Sequence, residues 1–320
     1  MGGSQSDQRA MLARILCERA TTDPDLLVLT ADMGTRIVPE FVEQHPGRFL
    51  NLGVAEQNLV ACAAGLARLG FTPVVTTIAA FLSMRALEQI RTDVAYPALK
   101  VIMVGTGGGV AYGNLGATHF GLEDLAIFRV IPNLTVLCPA DAAETAWALE
   151  EAFVSDGPVY IRLDRGPITN VYTEEPPPRG LSSVWLIGRG AAVDVLLIAT
   201  GTRVQACLEA AKMASSSRLR IGVVNARTIK PFDHALLIEA SQMTDRLIIT
   251  VEDHTTVGGL GSAVAQCLAV EPTAHRVPII SLGIPDTFPH GTHSASDLYR
   301  RYGLDAALIA RRLVEYSDVG

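Results

Sequence analysis

The sequence contains few of the features that mark secreted, membrane-spanning, metal-binding or nucleic-acid-binding proteins. Its five cysteines are widely separated and form no CxxC pair, which argues against a disulfide framework and a cysteine-based metal or redox site. No uninterrupted apolar run reaches the roughly 18 residues that span a bilayer. The net charge is −7 and Lys/Arg-rich runs are absent, so the chain lacks the positive charge that nucleic acid or anionic membranes attract.

Common targeting, cofactor and nucleophile motifs are also missing. The N-terminus, MGGSQSDQR, has no apolar region of the secretory type, and with the isolated cysteines this predicts a cytoplasmic location. No complete GxGxxG opens a helix after a strand, and no GxxxxGKS/T, HExxH or GxSxG occurs. Gly105, Gly107, Gly108 and Gly109 cluster without completing a phosphate-binding fingerprint. We therefore predict no metal ligands in this chain.

What the sequence does contain is an alternation of short β-branched runs with longer helical patterns. The first half predicts helices around 8–21, 54–69, 82–95 and 141–154, and strands at 26–31, 72–77, 99–105, 134–138 and 159–163. Near-continuous apolar strands separated by helices are typical of a parallel sheet covered on both faces. The first half is therefore expected to be an α/β domain.

The alternation is interrupted once and then resumes. The segment TEEPPPRGLS at 173–182 contains three consecutive prolines, which cannot continue a helix or a central strand. Beyond it, the pattern predicts helices at 203–215, 233–243 and from 258, and strands at 193–200, 220–226, 246–253 and 277–283. We expect two α/β domains with mainly parallel sheets covered by helices, at 1–172 and 185–320, joined by a linker at 173–184.

The block NLGVAEQNLVACAAGLARLG at 51–70 is the most distinctive part of the chain. It predicts a helix over 54–69 that is apolar nearly all round, with its polar residues at 56–58 in the first turn. Two interpretations of Glu56 are open. It is either an N-terminal acid favoured by the helix dipole, which the spacing alone favours, or a buried proton donor or acceptor.

A resemblance to a known family bears on this choice. VAEQN, TPVVTTIAAF with SMRALEQIR, GATHFGLEDLAIFRVIPNLTVLCPAD, GPVYIRLDRGP, NARTIKPFD and VEDHTTVGGLGSAV follow one another along the chain. From about Leu27 to the C-terminus, the sequence resembles the C-terminal half of a thiamine-diphosphate-dependent transketolase. The resemblance implies a thiamine-diphosphate pyrimidine-binding fold followed by the transketolase C-terminal domain.

The resemblance also implies a partner. Full-length relatives have an N-terminal domain whose GDG...N motif holds Mg²⁺ and the cofactor's diphosphate, and that motif has no counterpart here. The chain is thus expected to be the second chain of a split transketolase. An N-terminal-half subunit would hold most of the diphosphate and Mg²⁺ contacts, in an α2β2 heterotetramer that transfers a two-carbon ketol or acyl unit to an aldehyde or ketone.

Two alternatives remain open. The β chain of a 2-oxo-acid dehydrogenase decarboxylase component has the same two domains, but His119 and TIKPFD favour the transketolase. A non-catalytic scaffold of the same fold is the other alternative. The joint presence of Glu56, Phe81 and His119 argues against it.

Four residues are implied to contact the cofactor. The Glu of the family's AEQ motif, here Glu56, binds N1′ of the aminopyrimidine, which enables the cofactor's 4′-imino group to remove the C2 proton. Phe81 matches an aromatic side chain that stacks on the pyrimidine, and Ile78 stands where many relatives have Phe or Tyr. For both, a core residue is the alternative interpretation, and for Ile78 the two interpretations are equally supported. Asp32 matches an acidic residue near the cofactor, with a helix cap as the alternative.

Other residues are implied to contact the substrate. His119, in the ATH motif of the glycine-rich loop, matches a histidine that contacts the ketose, and a surface loop histidine is the alternative. Arg165 matches an arginine that binds a sugar phosphate. Arg162 and His254 are expected to have structural roles, His254 at a contact between the domains.

The acceptor end of the site departs from the family pattern. GNLGATH replaces a GEDGxTH-like loop, which places Asn114 and Leu115 at the acceptor, with Leu115 in place of an aspartate. Gly107 stands where a phosphate-contacting histidine is usual. An anion is bound tightly only where several donors converge. We therefore expect an acceptor without a terminal phosphate, with the space left by Gly107, Gly108 and Gly109 available to a larger group.

Overall fold

A computed structural model describes residues 4–172, 177–216, 219–291 and 293–317. The strands are β1 (Gln5–Asp7), β2 (Leu26–Thr30), β3 (Phe49–Asn51), β4 (Thr72–Ile78), β5 (Ile102–Thr106), β6 (Thr135–Leu137), β7 (Val159–Leu163), β8 (Pro167–Thr169), β9 (Val184–Ile187), β10 (Val193–Ala199), β11 (Ile221–Asn225), β12 (Thr228–Lys230), β13 (Thr244–Thr255) and β14 (Ile279–Ile284). The α-helices are α1 (Gln8–Ala20), α2 (Gly34–Ile37), α3 (Pro39–Gln44), α4 (Glu56–Arg68), α5 (Ala79–Arg85), α6 (Leu87–Gln89), α7 (Asp124–Val130), α8 (Ala142–Val154), α9 (Arg203–Met213), α10 (His234–Gln242), α11 (Leu260–Val270), α12 (Ala295–Arg301) and α13 (Ala306–Ser317).

Two largely parallel sheets form the centre of the molecule. Among the described residues, the first has the strand order β12-β6-β7-β5-β4-β2-β3 and the second the order β14-β13-β10-β11-β9. The strands from β2 to β7 within the first sheet pair in parallel, as do β10, β11, β13 and β14 in the second. The predicted α/β class with mainly parallel sheets is confirmed. No helix in the described ranges is long and apolar enough to cross a membrane.

One strand crosses from the second half of the chain to the first sheet. β12 pairs antiparallel with β6, with Thr228 opposite Leu137. A three-residue strand is too short to show a hydrophobic period, so the sequence pattern does not predict it. The two halves of the chain are therefore connected by backbone hydrogen bonds within the first sheet as well as by side-chain packing.

The described part of the predicted linker is anchored to the rest of the molecule. Thr173–Pro176 lie outside the described residues, but Pro178, Gly180 and Ser182 each accept a hydrogen bond from the Arg227 guanidinium through their carbonyl oxygens, at 2.8 to 2.9 Å. That side chain is fully buried, and its charge lies over the Trp147 ring. The described residues 177–184 thus contact both halves of the chain, Trp147 through the Gly180 carbonyl and Arg227 through the Ser182 carbonyl.

Buried polar side chains join the two sheets on the side that carries the site. Arg162, on β7, donates through Nε to Asp124 Oδ2 at 3.0 Å and through Nη2 to the Asp253 carbonyl at 2.6 Å. His254, on β13, accepts from the Ala126 backbone N–H at Nε2, and its Nδ1 lies 2.7 Å from the Thr255 carbonyl.

Burial lowers the pKa of His254 to about 4, so near neutral pH the ring is uncharged. Because Nε2 accepts a hydrogen bond, the proton of the neutral ring lies on Nδ1. His254 on β13 and Ala126 on α7 belong to different halves of the chain, so this histidine lies at a domain contact, where it was expected.

Candidate active site

The register of the first sheet places three loops side by side. β4, β5 and β7 are neighbours, with Ile78 opposite Thr106 and Thr106 opposite Leu163. Because the strands are parallel, the segments that follow them leave from the same edge, where open α/β sheets bind ligands. These segments are α5 after β4, the glycine-rich loop after β5 and Asp164-Arg165 after β7.

Glu56 lies beside this edge and is buried. It is the first residue of α4 and its side chain is 4 % exposed. The helix predicted over 54–69 is observed at Glu56–Arg68, and although its sequence is apolar nearly all round, only the face that carries Glu56, Leu59, Val60, Ala63 and Ala64 is buried. The carboxylate Oε1 and Oε2 atoms accept from Arg85 Nη1 at 3.2 and 3.1 Å.

From this ion pair, a series of contacts runs towards the glycine-rich loop. Arg85 Cζ lies 3.9 Å from the centroid of the Phe81 ring. The Phe81 and His119 ring centroids are 5.2 Å apart in an edge-to-face arrangement. The structure thus places Glu56, Phe81 and His119 together, with Arg85 between the first two.

The series continues to Arg165 through Tyr112. The His119 and Tyr112 centroids are 5.8 Å apart, and Arg165 Cζ lies 5.0 Å from the Tyr112 centroid. His119 is half-buried, and its Nδ1 lies 2.9 Å from Thr118 Oγ1. We refer to Glu56, Arg85, Phe81, His119, Tyr112 and Arg165 as the contact series.

Arg85 and Tyr112 are the members of this series that the sequence analysis missed. A signal for Arg85 exists, because Arg85 follows Phe81 by four residues on a helix and such residues share one face. Its pairing with Glu56 has no local signal, since 29 positions separate the two residues. Tyr112 lies in an irregular loop and shows no periodicity.

The other predicted site residues lie outside the series. Ile78 is 3 % exposed and packs in the same apolar cluster as Tyr112. Asp32 is exposed, has a left-handed backbone with φ of 59°, and donates its backbone N–H to Asn51 Oδ1. Asn114 and Leu115 form an exposed 3₁₀ turn ahead of His119, with Leu115 51 % exposed.

The glycine-rich loop is held from the second half of the chain. Both carboxylate oxygens of Asp253 accept from the Val110 backbone N–H at 3.2 Å, and Oδ2 also accepts from the Tyr299 hydroxyl at 2.8 Å. Asp253 is nearly fully buried. Its position thus fixes the start of the loop that ends at His119.

The expectation that Gly107, Gly108 and Gly109 leave free space is wrong. A Cβ atom would overlap the Tyr112 ring at Gly107, the Arg162 guanidinium at Gly108 and the Asp253 carboxylate at Gly109. The glycines instead allow these side chains to pack against the loop backbone.

Comparison with known proteins assigns the chain to one family of enzymes. The family model of the transketolase pyrimidine-binding domain matches residues 4–169, and that of the transketolase C-terminal domain matches residues 185–309. The chain belongs to the transketolase family, whose members depend on thiamine diphosphate.

Several relatives match over nearly their whole length. A 6-deoxy-6-sulfo-D-fructose transketolase subunit of Clostridium sp. (strain MSTE9) is 36% identical over 95% of this chain and 92% of the relative. One of the apulose-4-phosphate transketolase subunits of Phocaeicola vulgatus is 34% identical over 94% of both chains. A solved split-gene transketolase, described as an inactive beta4 tetramer, is 35% identical with a TM-score of 0.85 over 98% of both chains.

Other relatives are longer. The 1-deoxy-D-xylulose-5-phosphate synthase of Chlorobium luteolum is 38% identical over 94% of this chain but only 47% of its own length. The transketolase of Campylobacter jejuni shares the fold with a TM-score of 0.80 at 22% identity, over 47% of that chain. This chain therefore spans about half the length of these enzymes.

Part of the site fits the cofactor of the family. The Arg85 guanidinium contacts a buried carboxyl, that of Glu56, and lies over an aromatic ring, that of Phe81. A carboxyl and an aromatic ring are the two groups that an aminopyrimidine requires. In the described ranges, no three His, Cys, Asp or Glu side chains lie together as metal ligands. The fit to the cofactor thus rests on Glu56 and Phe81 alone.

The packing of Tyr112 against Gly107 gives a prediction about the loop. Gly107 has φ of +68° and no room for a Cβ, whereas Gly116 has φ of +76° and no neighbour within 4 Å. Gly116→Ala meets no neighbouring atom, but φ of 76° and ψ of −172° lie in a region that is essentially restricted to glycine, so backbone strain alone should cost about 1 to 3 kcal/mol. Gly107→Ala should cost a further 1 to 3 kcal/mol or so from overpacking, and should shift the His119 ring resonances through Tyr112. Urea unfolding measures the loss of stability, and NMR of the histidine rings measures the shift; unshifted His119 resonances in a folded Gly107→Ala variant would contradict the packing argument.

Proposed function

We propose that this chain is the pyrimidine-binding subunit of a two-component, transketolase-type transferase. In this proposal it transfers a two-carbon ketol unit to an aldehyde or ketone acceptor, together with an N-terminal-half subunit that holds Mg²⁺ and the cofactor's diphosphate. The observation that carries it is the contact series, in which a buried carboxylate, an aromatic ring and a histidine lie together at the carboxyl edge of a parallel sheet. Relatives named as transketolase subunits favour this function over a 2-oxo-acid dehydrogenase β chain.

The proposed role of each residue follows from its surroundings. When bound, thiamine diphosphate supplies a carbon nucleophile at C2 of its thiazolium ring. With the cofactor bound, Glu56 would offer a carboxyl proton to N1′ of the pyrimidine, and Phe81 would orient that ring by stacking. Because Thr118 engages Nδ1 of His119, Nε2 is the nitrogen that would contact a ketose oxygen.

The surface around Glu56 supports a partner chain. Leu50 and Val54 precede Glu56 and are 42% and 71% exposed, and Met84 beside Arg85 is 50% exposed. Exposed apolar side chains grouped at a site are typical of a surface that another protein covers. We propose that the partner covers this surface in an α2β2 heterotetramer. We place the enzyme in the cytoplasm, where the five unpaired cysteines would stay reduced.

The isolated chain should bind thiamine diphosphate weakly and show no turnover. Mg²⁺ bridging the two phosphates is a strong anchor for such a cofactor, and the proposal assigns that anchor to the partner. Calorimetric titration with and without Mg²⁺ measures the binding, and the reconstituted two-chain enzyme is the positive control. Tight Mg²⁺-dependent binding or turnover by this chain alone would refute the two-component proposal.

Glu56→Gln should lower kcat by at least about 100-fold, the usual cost of losing a general acid–base group. Gln retains the size of the side chain but has no acidic proton to offer N1′. Glu43→Gln, the same substitution at an exposed position on α3, is the matched control and should leave kcat unchanged. Near-normal turnover by a correctly assembled Glu56→Gln enzyme would show that Glu56 has another role.

The acceptor is proposed to lack a terminal phosphate. Arg165 is the family's phosphate-binding arginine that this chain keeps, whereas Gly107 replaces the histidine, and losing one charged donor weakens an anion site by about ten- to a hundredfold. With one ketol donor used throughout, the reconstituted enzyme should therefore have a higher kcat/KM for unphosphorylated aldehydes than for ribose 5-phosphate. The relatives compared above are named for a sulfonated and a phosphorylated sugar. A higher kcat/KM for ribose 5-phosphate than for the unphosphorylated aldehydes would reject the proposed preference.

A further inference from the structure

The Arg85 guanidinium occupies the space between the Glu56 carboxylate and the Phe81 ring. Its Nη1 contacts both carboxylate oxygens, at 3.1 and 3.2 Å, and its Cζ lies 3.9 Å from the ring centroid. The planar guanidinium thus donates hydrogen bonds to the carboxylate through its edge, while its face lies against the aromatic ring. No carboxylate other than Glu56 pairs with Arg85 among the ion pairs of the described ranges.

An aminopyrimidine at this site would need the same two contacts. Its N1′ would meet the Glu56 carboxyl, and its face would stack on Phe81. A guanidinium is also planar, stacks on aromatic rings and presents N–H groups at its edge. The two groups therefore compete for one volume and for the same carboxylate.

We propose that Arg85 stands in for the aminopyrimidine and that cofactor binding displaces it from Glu56. The inference rests on the proposed function, since it takes the pyrimidine to be the competing group. Arg85 is a positioning residue here: it acts on Glu56 and the entry of the cofactor, and takes no part in the transfer itself.

The burial of the three side chains indicates which one moves. Glu56 is 4 % exposed and belongs to the packed face of α4, whereas the Arg85 side chain is 46 % exposed at the end of α5. Phe81 packs against the apolar cluster that contains Ile78 and Tyr112. Arg85 can turn into solvent without opening this core, while Glu56 and Phe81 cannot.

The burial of Glu56 and the exposure of Arg85 also explain why Glu56 needs an arginine partner. A buried carboxylate without a partner is strongly unfavourable, and a paired arginine removes most of that penalty. Arg85 supplies this partner until the pyrimidine arrives. The pairing keeps Glu56 in place, and it also weakens the first binding of the cofactor because the ion pair has to break.

The test measures binding of a pyrimidine probe to the full chain. The probe is the hydroxymethyl aminopyrimidine half of thiamine, which carries no diphosphate and so needs no Mg²⁺ site. Line broadening of its methyl protons gives Kd for the wild type, Arg85→Leu, Arg85→Gln and the control Arg91→Leu. Arg91 is an exposed arginine in the π-helical turn Ile90–Ala95 that follows α6, and circular dichroism and unfolding midpoints show which variants are folded.

Both Arg85 variants should bind the probe at least about tenfold more tightly than the wild type, and Arg91→Leu should bind like the wild type. Adding Phe81→Ala to Arg85→Leu should abolish the gain, because the stacking face is lost. Arg85→Gln serves if Arg85→Leu does not fold, since Gln still offers Glu56 a hydrogen bond but no charge.

Weaker or unchanged probe binding by folded Arg85 variants would overturn the inference. The proposed function would still stand, and only the displacement of Arg85 would fail, if probe binding is lost on Phe81→Ala substitution and the Glu56→Gln enzyme loses turnover. If the probe binds no variant and Glu56→Gln retains turnover, both fail.

Discussion

The backbone hydrogen bonds that align β4, β5 and β7 determine where the site forms. They set Ile78, Thr106 and Leu163 at one level of the sheet, so α5, the glycine-rich loop and Arg165 start from neighbouring positions. Phe81 and His119 reach each other only because of this alignment. A change of register by one residue would move every side chain to the opposite face of its strand, and the contact series would be lost.

The second half of the chain stabilises this edge without entering the contact series. The Asp253 carboxylate holds the backbone of the glycine-rich loop, and the Asp253 carbonyl accepts from Arg162. His254 remains uncharged beside them, since burial lowers its pKa to about 4. The buried charged groups Arg162 and Asp253 are tolerated here because each has hydrogen-bond partners. The C-terminal domain thus supports the glycine-rich loop of the first domain.

The glycines of the loop illustrate how a sequence feature changes meaning in three dimensions. In the sequence, Gly107, Gly108 and Gly109 indicate missing side chains and hence space for a ligand. In the structure, Tyr112, Arg162 and Asp253 fill that space. The three glycines therefore mark where neighbouring side chains pack on the loop backbone.

The sequence by itself determined the α/β class, the places of most strands and helices, and the position of Glu56 in the first turn of a helix, because these depend on local periodicity. Strand β7 was predicted with its observed limits, 159–163. Only the tertiary structure decided that Glu56 pairs with Arg85, that Tyr112 joins His119 to Arg165, and that β12 returns to the first sheet. These contacts join residues brought together by sheet register and helix packing, and no local pattern in a single sequence encodes that geometry.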